Sequence, residues 1–131
     1  MKTISKFMQF LENIRFKNIS PVVAKLLVKR SVRFKTINPA VLFILKELLH
    51  MAIMRDISIV ITSANDGKHR KDSLHYKDRA IDIRAVDKYK RIGSMDEEEA
   101  LAVRALLQNY LGSSYDVVYE YDHIHIEYDP K

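Results

Sequence analysis

The segment Asp122-His123-Ile124-His125-Ile126-Glu127 alternates metal-capable side chains with isoleucine. Side chains two residues apart on a strand share a face. The spacing therefore predicts a strand from His123 to Tyr128, with His123, His125 and Glu127 on one side and Ile124 and Ile126 in a core. Tyr115 to Glu120 reads as its partner strand, with Tyr121-Asp122 at the tight turn between them. Arg79-Ala80-Ile81-Asp82-Ile83-Arg84 repeats the pattern: Ala80, Asp82 and Arg84 share one face, and Ile81 and Ile83 the other.

Working outward, Ile57, Ile59 and Ile61 alternate with Ser58, Val60 and Thr62, a β-branched run that reads as a further strand. The polar stretch from Ser63 to about Asp78 reads as an extended loop, and a loop of that length in a small domain points to function. Ser94-Met95-Asp96-Glu97 carries a capping-box signature. The helix it opens places Ala100, Val103, Leu107 and Tyr110 on one face and stops at Gly112. Asn38-Pro39 is a cap followed by a first-turn proline. The helix beyond it runs to about Met54, with Val41, Leu42, Leu45, Leu48, Leu49 and Ala52 at helical spacing. The first 35 residues also read as helical, broken near Asn18-Ile19-Ser20-Pro21, where Ser20 caps and Pro21 opens a second helix. Helices, then strands with one inserted helix, predict an α+β domain: N-terminal helices followed by a small antiparallel sheet. A chain of 131 residues is expected to form a single domain, 1–131, with 1–37 as a helical N-terminal extension and 38–131 as the core.

Composition narrows the chemistry. The chain has no cysteine, which excludes disulfides and thiolate metal sites, so any metal must be held by His, Asp or Glu. Hydrophobic residues make up 47% of the chain, enough for a globular core, and the longest clean apolar run, Ala40 to Leu45, is far short of a bilayer span. Lys2 and Lys6 precede no adequate apolar segment, so synthesis in the cytoplasm without a signal peptide is expected. The net charge is +5, and Lys2, Lys6, Arg15, Lys17, Lys25, Lys29, Arg30, Arg33 and Lys35 crowd the N-terminal part against Glu12 alone. That cluster is either a solvated helix face or an attraction for an anionic wall, membrane or nucleic acid. Charge is the sole support for nucleic acid, and no recognition motif backs it. His50 reads as a partly exposed helix residue.

The two clusters, Ser73 to Asp82 and Asp122 to Glu127, offer imidazoles and carboxylates from three backbone segments. Nitrogen and oxygen donors together suit zinc, whereas all-oxygen ligation would suit magnesium or calcium. The competing reading is an exposed hairpin with two histidines and an unrelated salt-bridged aspartate, and an H-x-H alone does not decide between them.

The order Ser73-Leu74-His75, then Arg79-Ala80-Ile81-Asp82-Ile83-Arg84, then Asp122-His123-Ile124-His125 resembles the zinc D-Ala-D-Ala carboxypeptidase family. That group is related in fold to hedgehog signalling domains and includes phage L-alanyl-D-glutamate endolysins. The likeness extends to Gly67-Lys68-His69 and Tyr115-Asp116-Val117-Val118, and covers roughly Ile57 to Pro130. The resemblance implies a zinc cleft in the 38–131 core with His75, Asp82 and His125 as ligands. It implies Asp122 as catalytic acid/base, with Glu120 as the alternative base, and His123 facing the substrate to stabilise an oxyanion. Ser73 would support the site by hydrogen bonding. Burial or a nearby charge is expected to tune Asp122, since an aspartate with a pKa of about 3.9 is a poor acid at neutral pH.

The chain departs from the family pattern in two places. Asp78 stands where a glycine is usual, and Ser63-Ala64-Asn65-Asp66 lacks the arginine that grips a substrate carboxylate. Arg70 or Arg84 is the candidate substitute, and the missing arginine favours an endopeptidase over a strict carboxypeptidase. His69 either lines the site or is an ordinary loop histidine. The activity implied is zinc-dependent cleavage of peptidoglycan peptides by a phage or prophage lysin released to the cell wall with lysis. The alternative is a non-catalytic metal-binding structural or virion module of the same fold. Oligomeric state is open.

Overall fold

Isoleucine alternation builds the centre of the molecule. A computed structural model describes residues 25–32, 34, 38–64 and 79–130. These form β1 (Leu26–Val28), α1 (Pro39–Arg55), β2 (Ile59–Ser63), β3 (Ala80–Arg84), α2 (Glu97–Leu111), β4 (Tyr115–Tyr119) and β5 (His123–Tyr128). The strands make one sheet in the order β1-β2-β3-β5-β4. β1 and β2 run parallel, and every other pair is antiparallel. The result is a mixed α+β domain with a five-stranded, mostly antiparallel sheet and two helices.

Ile59, Ile61, Ile81, Ile83, Ile124 and Ile126 are completely buried, and each contributes roughly 1.5–3 kcal/mol by leaving water. They join Ile44, Leu45, Leu48 and Met51 of α1 and Ala100, Val103 and Leu107 of α2 in one core. Both helices therefore cover the isoleucine face of the sheet. The opposite face carries Asp82, Arg84, Asp116, His123, His125 and Glu127, all partly exposed.

The caps follow from local chemistry. Asn38 Oδ1 accepts the Val41 N–H at 3.0 Å, with Pro39 at the first helical position of α1. In α2 the cap is Asp96, not Ser94: its carboxylate accepts the Glu99 N–H at 2.7 Å. Glu97, Glu98 and Glu99 put negative charge at the positive end of the helix, and the Glu99 carboxylate accepts from Arg55 rather than closing a capping box with Asp96. α2 stops at Gly112, whose φ of 89° and extended ψ suit glycine.

One expectation is corrected. Leu26–Val28 is a strand of the sheet, not part of a helical extension. It pairs in register Leu26↔Ile59 to Val28↔Ile61, closed by Ile59 N–H to Lys25 O at 2.7 Å and Lys29 N–H to Ile61 O at 2.9 Å. Three apolar residues carry no usable period. What decides them is tertiary: β2 has a free edge whose backbone groups need partners. The rest of the expected extension, including the Ser20-Pro21 break, lies outside the described residues.

Two irregularities shape the polar face. The β2–β3 register runs Ile61↔Ile83 and then Ser63↔Asp82, so Thr62 is the extra residue of a bulge. After β3 the chain stays tied to the β4–β5 turn through Ala85 N–H to Asp122 O at 2.9 Å and Val86 N–H to Tyr121 O at 3.0 Å. It then folds over β2, where Gly93, at φ 86°, lies so close to Val60 that an added Cβ would sit 2.6 Å from Val60 Cγ2.

Candidate metal centre

The β3–β5 ladder pairs Asp82 with His125, Arg84 with His123 and Ala80 with Glu127. Direct cross-strand neighbours on one face meet side chain to side chain. The His125 Nδ1 lies 2.8 Å from Asp82 Oδ1, and its Nε2 lies 3.3 Å from Glu127 Oε2. The Asp82 hydrogen bond is the largest influence on this imidazole. With the Asp82 charge and the Glu127 hydrogen bond it overcomes the opposing effect of burial and lifts the pKa from 6.5 to about 9.

His123 is also held from both sides, with Nδ1 2.7 Å from Asp122 Oδ1 and Nε2 2.6 Å from Glu120 Oε2. Its burial works against the charged form. The Asp122 hydrogen bond, the Asp82 charge and Glu120 outweigh that, so its pKa is raised above the ordinary histidine value. A ring donating from both nitrogens is an imidazolium. Asp122 itself is 76% exposed.

A cleft of about 290 Å³ opens on this face, lined by residues that include Asp82, Asp122, His123, Arg84, Lys29 and Ser63. The bulge brings both Thr62 and Ser63 to its wall. Asp87 and Arg91 form another side, with Arg91 Nε donating to Asp87 Oδ2 at 2.8 Å. The Arg91 hydrogen bond holds the Asp87 carboxyl well below the usual carboxylate range. Arg84 reaches the cleft but its guanidinium already donates to Ile92 O at 2.7 Å. Partial burial and the nearby Arg91 charge lower its pKa, against Asp87.

Of the residues singled out by sequence, Asp82 and His125 come together, as do Glu120, Asp122 and His123. Ser73, His75, His69 and Arg70 lie outside the described residues. Sequence reasoning places Lys29 in the basic N-terminal cluster and misses its position at the cleft. It also missed a cluster further along the same face. Asp116, Glu127 and Asp129 offer ligand oxygens all within 4.8 Å of one another, a set suited to a divalent cation. Among the described residues this is the trio of metal-type groups that close, whereas Asp82 and His125 form a pair. The signal was in the sequence: counting equal steps back from the turn sets Asp116 opposite Glu127. An all-oxygen set favours a hard cation over zinc.

No family model, no curated protein and no solved structure matches the chain. Among the described residues, no helix is long and apolar enough to cross a membrane.

Proposed function

We propose that this chain is a zinc-dependent peptidase acting on peptidoglycan peptides, a lysin of phage or prophage type. The observation that carries the reading is the Asp82–His125 pair, fixed by strand register, in which Asp82 lines a polar cleft together with His123 and Asp122. Asp82 and His125 would hold the metal with His75, the third ligand that the family resemblance implies. The donor chemistry suits zinc, as an imidazole nitrogen and a carboxylate oxygen already face each other.

When bound, zinc supplies Lewis acidity toward a scissile carbonyl and makes a water molecule easier to deprotonate. The remaining chemistry belongs to the protein. Asp122 lines the cleft with Asp82 and His123, whereas Glu120 does not, which favours Asp122 as acid/base. Asp122 takes the proton of the attacking water and returns it to the leaving amine. To do so it must release His123 Nδ1–H, and that N–H becomes available to the developing oxyanion, while Glu120 keeps hold of Nε2. The net charge of +5 favours an anionic wall, an attraction that salt weakens.

The test is purified protein with zinc incubated with peptidoglycan, with new amino termini counted. Release of free amines supports the peptidase, and none across a range of walls rejects it. The Asp116–Glu127–Asp129 cluster favours a second reading, a non-catalytic module that holds a divalent cation.

A further inference from the structure

Glu127 has no role in the chemistry above, yet it touches a residue that does. It follows His125 by two positions on β5, so both side chains project from the same face, and Glu127 Oε2 lies 3.3 Å from His125 Nε2. The other ring nitrogen, Nδ1, faces Asp82 at 2.8 Å. A neutral imidazole has one N–H and one lone pair. A metal shared by His125 and Asp82 must meet the lone pair on the side where the two residues face each other. The hydrogen then belongs on Nε2, where Glu127 accepts it.

We propose that Glu127 is a positioning residue that fixes the tautomer and the ring orientation of His125, leaving Nδ1 as the ligand atom. The inference rests on the zinc reading of Asp82 and His125. Carboxylates behind ligating histidines orient the ring and raise its basicity. The β5 backbone makes the arrangement rigid: the i, i+2 spacing on a strand paired on both sides leaves His125 and Glu127 little freedom to separate.

The experiment measures zinc affinity of the full chain by chelator competition, for wild type, His125→Ala, Glu127→Ala, Glu127→Gln and Asp116→Asn. It also reads the His125 ring nitrogens by ¹⁵N NMR in the zinc-loaded protein. Expected are a proton on Nε2 and a loss of affinity of roughly 10–100-fold in Glu127→Ala. Glu127→Gln, which keeps an acceptor oxygen and nearly the same shape, recovers part of that loss, and Asp116→Asn matches wild type. A proton found on Nδ1, or a Glu127→Ala affinity equal to wild type, overturns the positioning role while leaving the zinc site standing. An Asp116→Asn loss as large as that of Glu127→Ala also overturns it, because Glu127 would then act as a ligand within the acidic cluster. If wild type takes up no zinc, or His125→Ala takes it up equally well, the zinc reading fails and this inference with it.

Discussion

Asp82 and His125 stand directly opposite each other in the β3–β5 ladder, and their side chains meet at 2.8 Å between Oδ1 and Nδ1. Register makes this contact. The isoleucines on either side of each residue are buried in the core, so a one-residue slip would put isoleucine on the polar face and the charged pair in the core. The burial that stabilises the sheet also holds the two candidate ligands together.

Asp122 and His125 are assigned different duties, and their variants should separate. In Asp122→Asn the metal pair is untouched, so zinc content is retained while turnover falls by about 10²–10⁴-fold. His125→Ala loses both zinc and turnover. Metal analysis beside an amine-release assay checks the pair. An Asp122→Asn variant that keeps full turnover would remove Asp122 from the mechanism and return Glu120 as the base.

The His125 ion pair makes metal-free stability depend on pH. The pKa is raised from 6.5 to about 9, so the contribution is fully present below pH 6.5 and is lost as pH rises through 9. With chelator present, the gap in denaturation midpoint between wild type and His125→Gln should shrink from pH 6 to pH 10. Zinc uptake at pH 7 should also release a proton from this imidazolium, detectable by calorimetry in two buffers of different ionisation enthalpy. A gap that is constant with pH contradicts the account.

Gly93→Ala should destabilise the domain. The new Cβ would lie 2.6 Å from Val60 Cγ2, and φ is 86°, where an L side chain is strained. A cost of about 1–3 kcal/mol is expected from overpacking alone. A denaturant midpoint equal to wild type would show that the loop carrying Asp87 and Arg91 does not rest on β2.

The two serine or aspartate candidates for capping α2 are distinguished by substitution. Asp96→Ala should cost about 1 kcal/mol through the lost bond to Glu99 N–H, and Ser94→Ala much less. Equal losses would count against Asp96 as the cap.

The parts of the fold visible in sequence are those set by local period. Ile81 and Ile83, and Ile124 and Ile126, alternate with polar residues over enough positions to define both faces, and Asn38-Pro39 marks the start of α1 by its own chemistry. Leu26–Val28 was misread because three apolar residues fit a helix as well as a strand, and the free edge of β2 decides between them. The cleft was only half legible. His123, Asp82 and Asp122 could be named, but Lys29, the Thr62 bulge and the Asp87–Arg91 pair arrive through long-range contacts that no spacing reveals. Asp116 enters the sequence reading only through the Tyr115-Asp116-Val117-Val118 likeness, and Asp129 belongs to no motif, though hairpin register places Asp116 beside Glu127.

The central claim is that Asp82 and His125 share one zinc ion. Equilibrium dialysis against zinc, followed by metal quantitation on wild type, Asp82→Asn and His125→Ala, tests it most directly. The account predicts one tightly held zinc per wild-type chain and its loss in both variants. Zinc bound equally by all three proteins, or by none of them, would contradict it.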